Sequence, residues 1–260
     1  ATANPTWNEP QHPFGFGIAI KDWSMVPPTQ RAVIDAAVPP IEPYAIRRLT
    51  HKRFPENVLL TDIRACSDDH FVCSGRIPVD HRFFNAGGRT PYEDILFYTE
   101  VGRQASLAVT HAFLNVSFDD VFIFERSRAA MTPGIWNPAL AREADSVVIE
   151  IKVRETVRRK NTVARVIAEH FMYVGDQHVF QGTGTWTMQP AALFKRLRRA
   201  TAESALQVDG ADLLRRYPSN VVISALESAQ DNTAITASLF VNTAHPYFFD
   251  HPCDHVPGML

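Results

Sequence analysis

Two stretches of the chain, RFPENVLLTD at 53–62 and RYPSNVVISA at 216–225, follow one pattern: arginine, aromatic, proline, polar residue, asparagine, then branched or apolar residues. Their starts lie 163 positions apart (53 to 216). Each leads through a polar turn, SDDH (67–70) or QDNT (230–233), into a second alternating strand, FVCSGRI (71–77) or AITASLF (234–240). Each then reaches a histidine followed by aromatics, HRFF at 81–84 and HPYFF at 245–249, now 164 apart (81 to 245). The spacing slips by a single residue. A repeat this long is no solenoid unit, whose period is roughly 20–50 residues, and predicts two tandem domains of one fold.

The first copy is complete enough to show which fold. EDILFYTEVGRQASLAVTHAFL (93–114) has the length and apolar spacing of a helix. Beyond Asp94 its only charged or chargeable side chains are Glu100, Arg103 and His111. A helix so apolar around its circumference is a buried one. Three segments with period-two alternation follow: VVIEIKVRETV (147–157), TVARVIAEHFMYV (162–174) and HVFQGTGTWTMQ (178–189). The polar turn RRKN (158–161) joins the first two. Two strands, a buried helix and three antiparallel strands predict an α+β fold in which a sheet wraps one central helix, the hot-dog architecture.

Residues 1–46 carry Pro5, Pro10, Pro13, Pro27, Pro28, Pro39, Pro40 and Pro43. Proline at that density blocks helix interiors and central strands. This segment is expected to be an irregular arm, with one candidate short helix at QRAVIDAAV (30–38). A first hot-dog domain is expected over 47–190, a basic linker helix over 191–211, and the N-terminal part of a second hot-dog over 212–260. The second copy reaches its two strands and its histidine loop, and stops where its central helix should begin. The chain therefore reads as a tandem hot-dog truncated in its second copy.

Composition narrows the class. Hydrophobic residues are 45% and charged residues 21% of the 260, as in a folded globule. A net charge of −2 provides no general attraction to nucleic acid or an anionic membrane. No apolar run reaches the 18 or so residues of a spanning helix, and the start, ATANPTWNEPQHPF, lacks the regions of a signal peptide and an initiator Met. Cys66, Cys73 and Cys253 are an odd count without C-x-x-C spacing, which argues for a reducing, cytoplasmic setting. Only His251, Cys253 and His255 approach metal-ligand spacing, and they read as loop residues without a metal. No cofactor is implied.

Three constellations carry possible chemistry. Glu100 and Arg103, three apart on a helix, are neighbours on one face. On an exposed helix such a pair is a weak surface contact, but here the flanking residues place it inside. Apolar replacements serve stability as well as a buried pair does, so a buried pair suggests function, and a carboxylate in an apolar site can have its pKa raised toward acid–base use. The terminal loop FFDHPCDHVPGML (248–260) holds Asp250, His251 and His255 before the turn Pro257-Gly258. Its histidines suit either a base or donor near a helix N-terminus or a structural loop bonded to backbone carbonyls. The basic runs Arg158-Arg159-Lys160 and Lys195, Arg196, Arg198, Arg199 are either solvated faces or docking surfaces for an acidic partner.

DHPCDHVPGML (250–260) closely resembles the signature of the AfsA family, the synthases of A-factor and related γ-butyrolactone autoregulators. In that family the signature runs on into a helix bearing Glu-x-x-Arg-Gln, to which TEVGRQ (99–104) is similar. LLTDIR (59–64) and DHRFF (80–84) also resemble the family's first repeat. There is a more distant similarity to the histidine loop of hot-dog acyl-carrier-protein dehydratases.

The resemblance implies an acyltransferase that joins a β-ketoacyl chain, delivered on acyl carrier protein, to the hydroxyl of dihydroxyacetone phosphate. It implies Glu100, Arg103 and His251 as catalytic residues, with Arg103 holding phosphate or a carbonyl oxygen and Glu100 or His251 taking the hydroxyl proton. Asp250, His255, Gln104 and His81 would bind substrate, and Arg158, Arg159 and Lys160 would dock the carrier protein. No Ser or Cys lies in a recognisable nucleophile motif, which favours direct transfer from the thioester. Paired hot-dogs further imply pairing of the two copies within the chain, with a homodimer as the other option. The loop of copy two would then face the helix of copy one. The alternatives are another hot-dog thioester enzyme, a dehydratase or thioesterase, and a non-catalytic acyl-binding regulator.

Overall fold

The computed structural model describes residues 43–78, 81–84, 94–132, 145–175, 177–197, 217–228 and 235–250. The proline-rich arm up to residue 42, the linker beyond residue 197 and the signature residues 251–260, with His251 and His255, lie outside the described residues.

The first element is a helix, α1 (Pro43–Leu49), which crosses the expected edge of the arm at residue 46. Pro43 is tolerated because the first helical turn needs no backbone donors. The helix closes in a Schellman-type cap: Lys52 N donates to Arg47 O (3.2 Å) and His51 N to Arg48 O (3.2 Å), with His51 in the left-handed region at φ 56°. This tight cap holds Arg47, Arg48, His51 and Lys52 in one small patch.

Strands β1 (Leu60–Ala65) and β2 (His70–Arg76) form a hairpin, and α2 (Ile95–Ala112) follows. Asp94 caps α2 by accepting from Leu96 N at 2.9 Å. Then come β3 (Asp120–Met131), β4 (Ser146–Arg159), β5 (Thr162–Val174) and β6 (Gln177–Pro190). The six strands make one sheet in the order β1-β2-β4-β5-β6-β3, with every pairing antiparallel. Buried faces of α2 and the sheet form a single core that includes Phe97, Val101, Val109, Ile149, Ile151, Met172 and Trp186. The sheet around one central helix is the hot-dog predicted from the sequence.

Strand β3 was not among the predicted strands. Its residues are mostly partly or fully exposed along an edge, so the alternation that marks a half-buried strand is absent. It forms because β6 offers a free edge, and the pairing runs from Asp120↔Pro190 to Met131↔Phe180.

The helix lies close against β5. A Cβ on Gly102 would come within 3.0 Å of Met172 Cε, so only glycine permits this approach without movement. The polar groups at the same contact satisfy one another. Ser106 Oγ donates to Gly102 O (2.8 Å) and lies 2.8 Å from His170 Nε2; Trp186 Nε1 donates to Thr110 Oγ1 (3.1 Å), and Thr110 Oγ1 to Ser106 O (2.7 Å). Burial lowers the His170 pKa to about 4, so its ring is neutral there.

The second copy of the repeat contributes a hairpin, β7 (Ile223–Ser228) with β8 (Ile235–Leu239). Its register slips between Ser224 and Leu226, as that of the β1–β2 hairpin slips between Leu60 and Asp62. A short helix, α3 (Ala191–Leu197), lies between the two copies in sequence. Each hairpin is preceded by a 3-10 turn, Pro55–Asn57 or Pro218–Asn220, which ends on the repeated asparagine.

These asparagines join the copies reciprocally. Asn57 Nδ2 donates to Pro246 O (3.1 Å) and Asn220 Nδ2 to Arg82 O (3.1 Å). Their oxygens serve the histidine of their own copy: His81 Nε2 lies 3.2 Å from Asn57 Oδ1, and His245 Nε2 3.3 Å from Asn220 Oδ1. The other ring nitrogens accept from Phe83 N and Tyr247 N, both at 3.2 Å, which fixes each proton on Nε2. Between them the equivalent rings Phe83 and Tyr247 stack 4.6 Å apart at 10°. The repeated Arg-aromatic-Pro-x-Asn pattern is therefore the joint between the copies. Asn220→Ala should cost about 1–3 kcal/mol, because it strands buried partners at Arg82 and His245; urea denaturation measures this, and an unchanged midpoint would show that the joint carries no stability.

Candidate active site

The site forms where the first half of α2 meets that joint. Glu100 is fully buried and accepts four contacts. Arg103 Nε reaches Oε2 at 2.7 Å and Arg103 Nη2 reaches Oε1 at 2.8 Å. Gln104 Nε2 donates to Oε1 at 2.9 Å, and Lys52 Nζ lies 3.2 Å from the same oxygen. Helical spacing aligns Glu100, Arg103 and Gln104, while Lys52 arrives from the cap of α1. The Arg103 side chain remains 19% exposed, and its Nε and Nη2 hold Glu100.

Burial alone would raise the Glu100 pKa. The charges of Arg103 and Lys52 and the hydrogen bonds from Arg103 and Gln104 outweigh it and hold the carboxyl at about 2. The expectation of a raised pKa is thus corrected: the pocket is not apolar, because it brings its own cations. The pair raises the Arg103 pKa despite burial, mainly through Glu100.

The second copy supplies the facing wall. Tyr247 packs beneath Lys52, whose Nζ lies 4.7 Å from the ring centroid. Its buried hydroxyl has no hydrogen-bond partner among the described residues, and burial pushes the phenol pKa well above its usual value. Asp250 is buried and its Oδ2 accepts from Arg53 N (3.1 Å) and Asn57 Nδ2 (3.4 Å). Asp250 is also among the groups whose charge acts on Arg103.

Among the residues expected to touch substrate, Glu100, Arg103, Gln104, His81 and Asp250 come together here. His251 and His255 lie outside the described residues. Gln104 is fully used by the protein: Oε1 accepts from Leu59 N (2.9 Å), and Nε2 donates to Asn57 O (2.9 Å) as well as to Glu100. His81 is likewise engaged at both nitrogens, and burial, with Arg76 and Lys52 nearby, lowers its pKa to about 4. Both position the site rather than offer an open polar atom. Arg158, Arg159 and Lys160 are exposed at the β4–β5 turn, where Lys160 adopts φ 56°. Lys195 and Arg196 lie in the last turn of α3.

Lys52, Asn57 and Tyr247 were not among the expected site residues, nor was the run Arg47, Arg48, His51, Lys52, Arg53. That run, with Phe118, lines a cleft of about 290 Å³. Its signal was present as the basic stretch RRLTHKR (47–53), adjoining the repeated motif. No helix among the described residues is long and apolar enough to cross a membrane. No three His, Cys, Asp or Glu side chains among them are arranged to hold a metal.

Two pH windows follow. Glu100 is depressed, so the stability it contributes is present above its ordinary value of 4.5 and is lost as pH falls through about 2. His81 and His245 are kept neutral, so their contribution is present above 6.5 and is lost as pH falls through about 4. Acid titration of stability should fall in both windows. Glu100→Gln should lose the lower fall, retain the upper one, and cost about 3–5 kcal/mol at neutral pH by leaving buried cations unpaired. An unaltered acid limb in the variant would refute this account.

A model of the AfsA family, described as the A-factor biosynthesis hotdog domain, matches residues 35–190 and 198–260. A 2-oxo-3-(phosphooxy)propyl 3-oxoalkanoate synthase of Streptomyces virginiae is 29% identical over 226 residues, 82% of this chain and 72% of that protein. The protein of the same name from Streptomyces coelicolor is 28% identical over 198 residues, 74% of this chain and 60% of that one. Among solved structures, a dehydratase heterocomplex chain from Xenorhabdus doucetiae is similar at 12% identity, over 63% of this chain and 100% of that chain, with a TM-score of 0.42. A thioesterase family protein from Silicibacter pomeroyi is similar at 10% identity, over 56% of this chain and 99% of that chain, with a TM-score of 0.38. With its motif-bearing central helix and its reciprocally joined repeats, the chain belongs to the AfsA family of hot-dog proteins.

Proposed function

We propose that the protein is an acyltransferase of γ-butyrolactone signal biosynthesis, joining a 3-oxoacyl (β-ketoacyl) chain from acyl carrier protein to a hydroxyl of dihydroxyacetone phosphate. The observation that carries this reading is the buried Glu100–Arg103–Lys52 cluster of one repeat facing Tyr247 and Asp250 of the other. Relatives bearing the synthase name share the family.

The residues divide the work as follows. Arg103, through the nitrogen that does not hold Glu100, and the hydroxyl of Tyr247 donate to the carbonyl oxygen as it gains negative charge. Burial keeps Tyr247 protonated and so able to donate. Glu100 is a positioning residue: a carboxylate with four donors and a pKa near 2 is a poor base at neutral pH, and it fixes Arg103 and Lys52 instead. His251, next in the chain to the anchored Asp250, takes the proton from the attacking hydroxyl. The C–O bond forms, the C–S bond breaks, and the proton passes to the departing sulfur. Asp250 anchors the start of that loop, His255 is a proposed substrate-binding residue, and Gln104 and His81 hold the turn at Asn57 to which Asp250 is bonded. No protein-bound acyl intermediate is required. The exposed turn Arg158-Arg159-Lys160 is the proposed docking point for the acidic carrier protein, where charge would speed encounter.

The full-length protein incubated with a 3-oxoacyl thioester and dihydroxyacetone phosphate should yield the phosphorylated ester. Free acid instead would identify a thioesterase, enoyl thioester from a 3-hydroxyacyl donor a dehydratase, and no turnover a binding protein. Arg103→Gln and His251→Ala should each lower kcat by about 10²-fold or more. The double variant should be scarcely worse, as for residues acting as one unit; additive losses would separate their roles.

A further inference from the structure

We propose that the cleft lined by Arg47, Arg48, His51, Lys52, Arg53 and Phe118 is the phosphate subsite of the acceptor, receiving the phosphomonoester of a phosphorylated triose while its hydroxyl reaches the Arg103–Tyr247 site. This deepens the acyltransfer reading and rests on it for the identity of the acceptor.

Four features carry the assignment. The first is charge: Arg47, Arg48 and Arg53 line one cleft in a chain whose net charge is −2, with Lys52, paired to Glu100, at its inner side. Carboxylates among the described residues also act nearby, including Glu100 on Lys52, Asp120 on His111, and Asp250 at the Arg53 backbone. The second is preorganisation. Arg48 stands 4.2 Å over the Phe118 ring, which itself stacks on His111 at 4.3 Å and 14°, and Arg53 stands 5.6 Å over Phe54. Guanidinium planes held on aromatic faces direct their donors outward, as bidentate phosphate recognition requires. The backbone cap of α1 holds this patch together, and His51 is fixed by a 2.7 Å contact with His111 Nε2.

Third, the cleft is accessible. Its volume of about 290 Å³ leaves room for a small phosphate ester, and its open mouth lets one enter. Fourth, it adjoins the chemistry. Lys52 lines the cleft while its ammonium reaches Glu100 at 3.2 Å, so one side chain separates the two sites. In a triose phosphate the phosphate and the free hydroxyl are only three carbons apart. In a pantetheine arm two amide units separate the phosphate from the thioester, so a donor phosphate would lie much farther from the reacting carbon. The short separation favours the acceptor. Arg103 is then left for the carbonyl oxygen.

The test is calorimetric titration of the full chain, without acyl donor, with glycerol 3-phosphate, with phosphopantetheine and with unphosphorylated dihydroxyacetone. Wild type should bind glycerol 3-phosphate, and Arg48→Gln with Arg53→Gln should weaken that at least tenfold while phosphopantetheine binding stays within twofold. In turnover, KM for dihydroxyacetone phosphate should rise at least tenfold in the variant and KM for the acyl donor no more than twofold. Equal glycerol 3-phosphate affinity in both proteins would overturn the subsite. So would selective loss of phosphopantetheine or carrier-protein binding, which would give the cleft to the donor. Should the double variant unfold, Arg53→Gln alone, at an exposed side chain, is read by the same criteria. Loss of glycerol 3-phosphate binding in the variant, with no ester formed by wild type from any 3-oxoacyl donor, would uphold the subsite and overturn the proposed reaction.

Discussion

A carboxylate at the centre of a hot-dog is costly, because removing a charge from water carries a penalty of several kcal/mol even after relaxation. Glu100 bears that penalty through four donors from three side chains, two on its own helix and one from the α1 cap. Much of the local structure follows from this requirement. Lys52 must reach inward, so the chain after α1 turns sharply through the left-handed His51. Gln104 must bridge, so the chain at Asn57 and Leu59 is held against α2. Arg103 commits Nε and Nη2 to this carboxylate, and Nη1 takes no part in the pair.

The joint between the repeats depends on the same turn. Asn57 accepts from His81, donates to Pro246 O, and lies 3.4 Å from Asp250. The side chain that ties copy one to copy two therefore also anchors the start of the signature loop next to Arg103. Asn220 repeats the arrangement toward Arg82. A duplicated motif can serve both copies because a reciprocal contact needs the same residue on each side, as in an isologous interface. The candidate site and the repeat pairing thus share one hydrogen-bond network, and disturbance of either should be felt in the other.

The ionisation states are arranged to remain fixed at neutral pH. Glu100 is depressed, Arg103 is raised, Tyr247 is raised, and the buried histidines 81, 170 and 245 are lowered. A site of this kind offers fixed charges and donors rather than a group that titrates near neutrality. This is why the Glu100 carboxylate is better understood as a scaffold than as a base.

The sequence alone determined the repeat, the buried helix and the family. Each is written in local pattern: the Arg-aromatic-Pro-x-Asn stretch, the near absence of charge along 95–112, and the TEVGRQ and DHPCDHVPGML motifs. It also placed Glu100 beside Arg103, since helical spacing requires it. It did not show β3, whose exposure pattern is that of an edge recruited by β6. Nor did it show the low pKa of Glu100, to which Arg103 contributes most and Lys52 next, the latter a residue 48 positions away (52 to 100) with no local sign of its destination. Tyr247 and the basic cleft at 47–53 were visible as residues, but not as a site. Charge, burial and hydrogen bonding are sums over neighbours in space, and only the tertiary structure decides which neighbours those are.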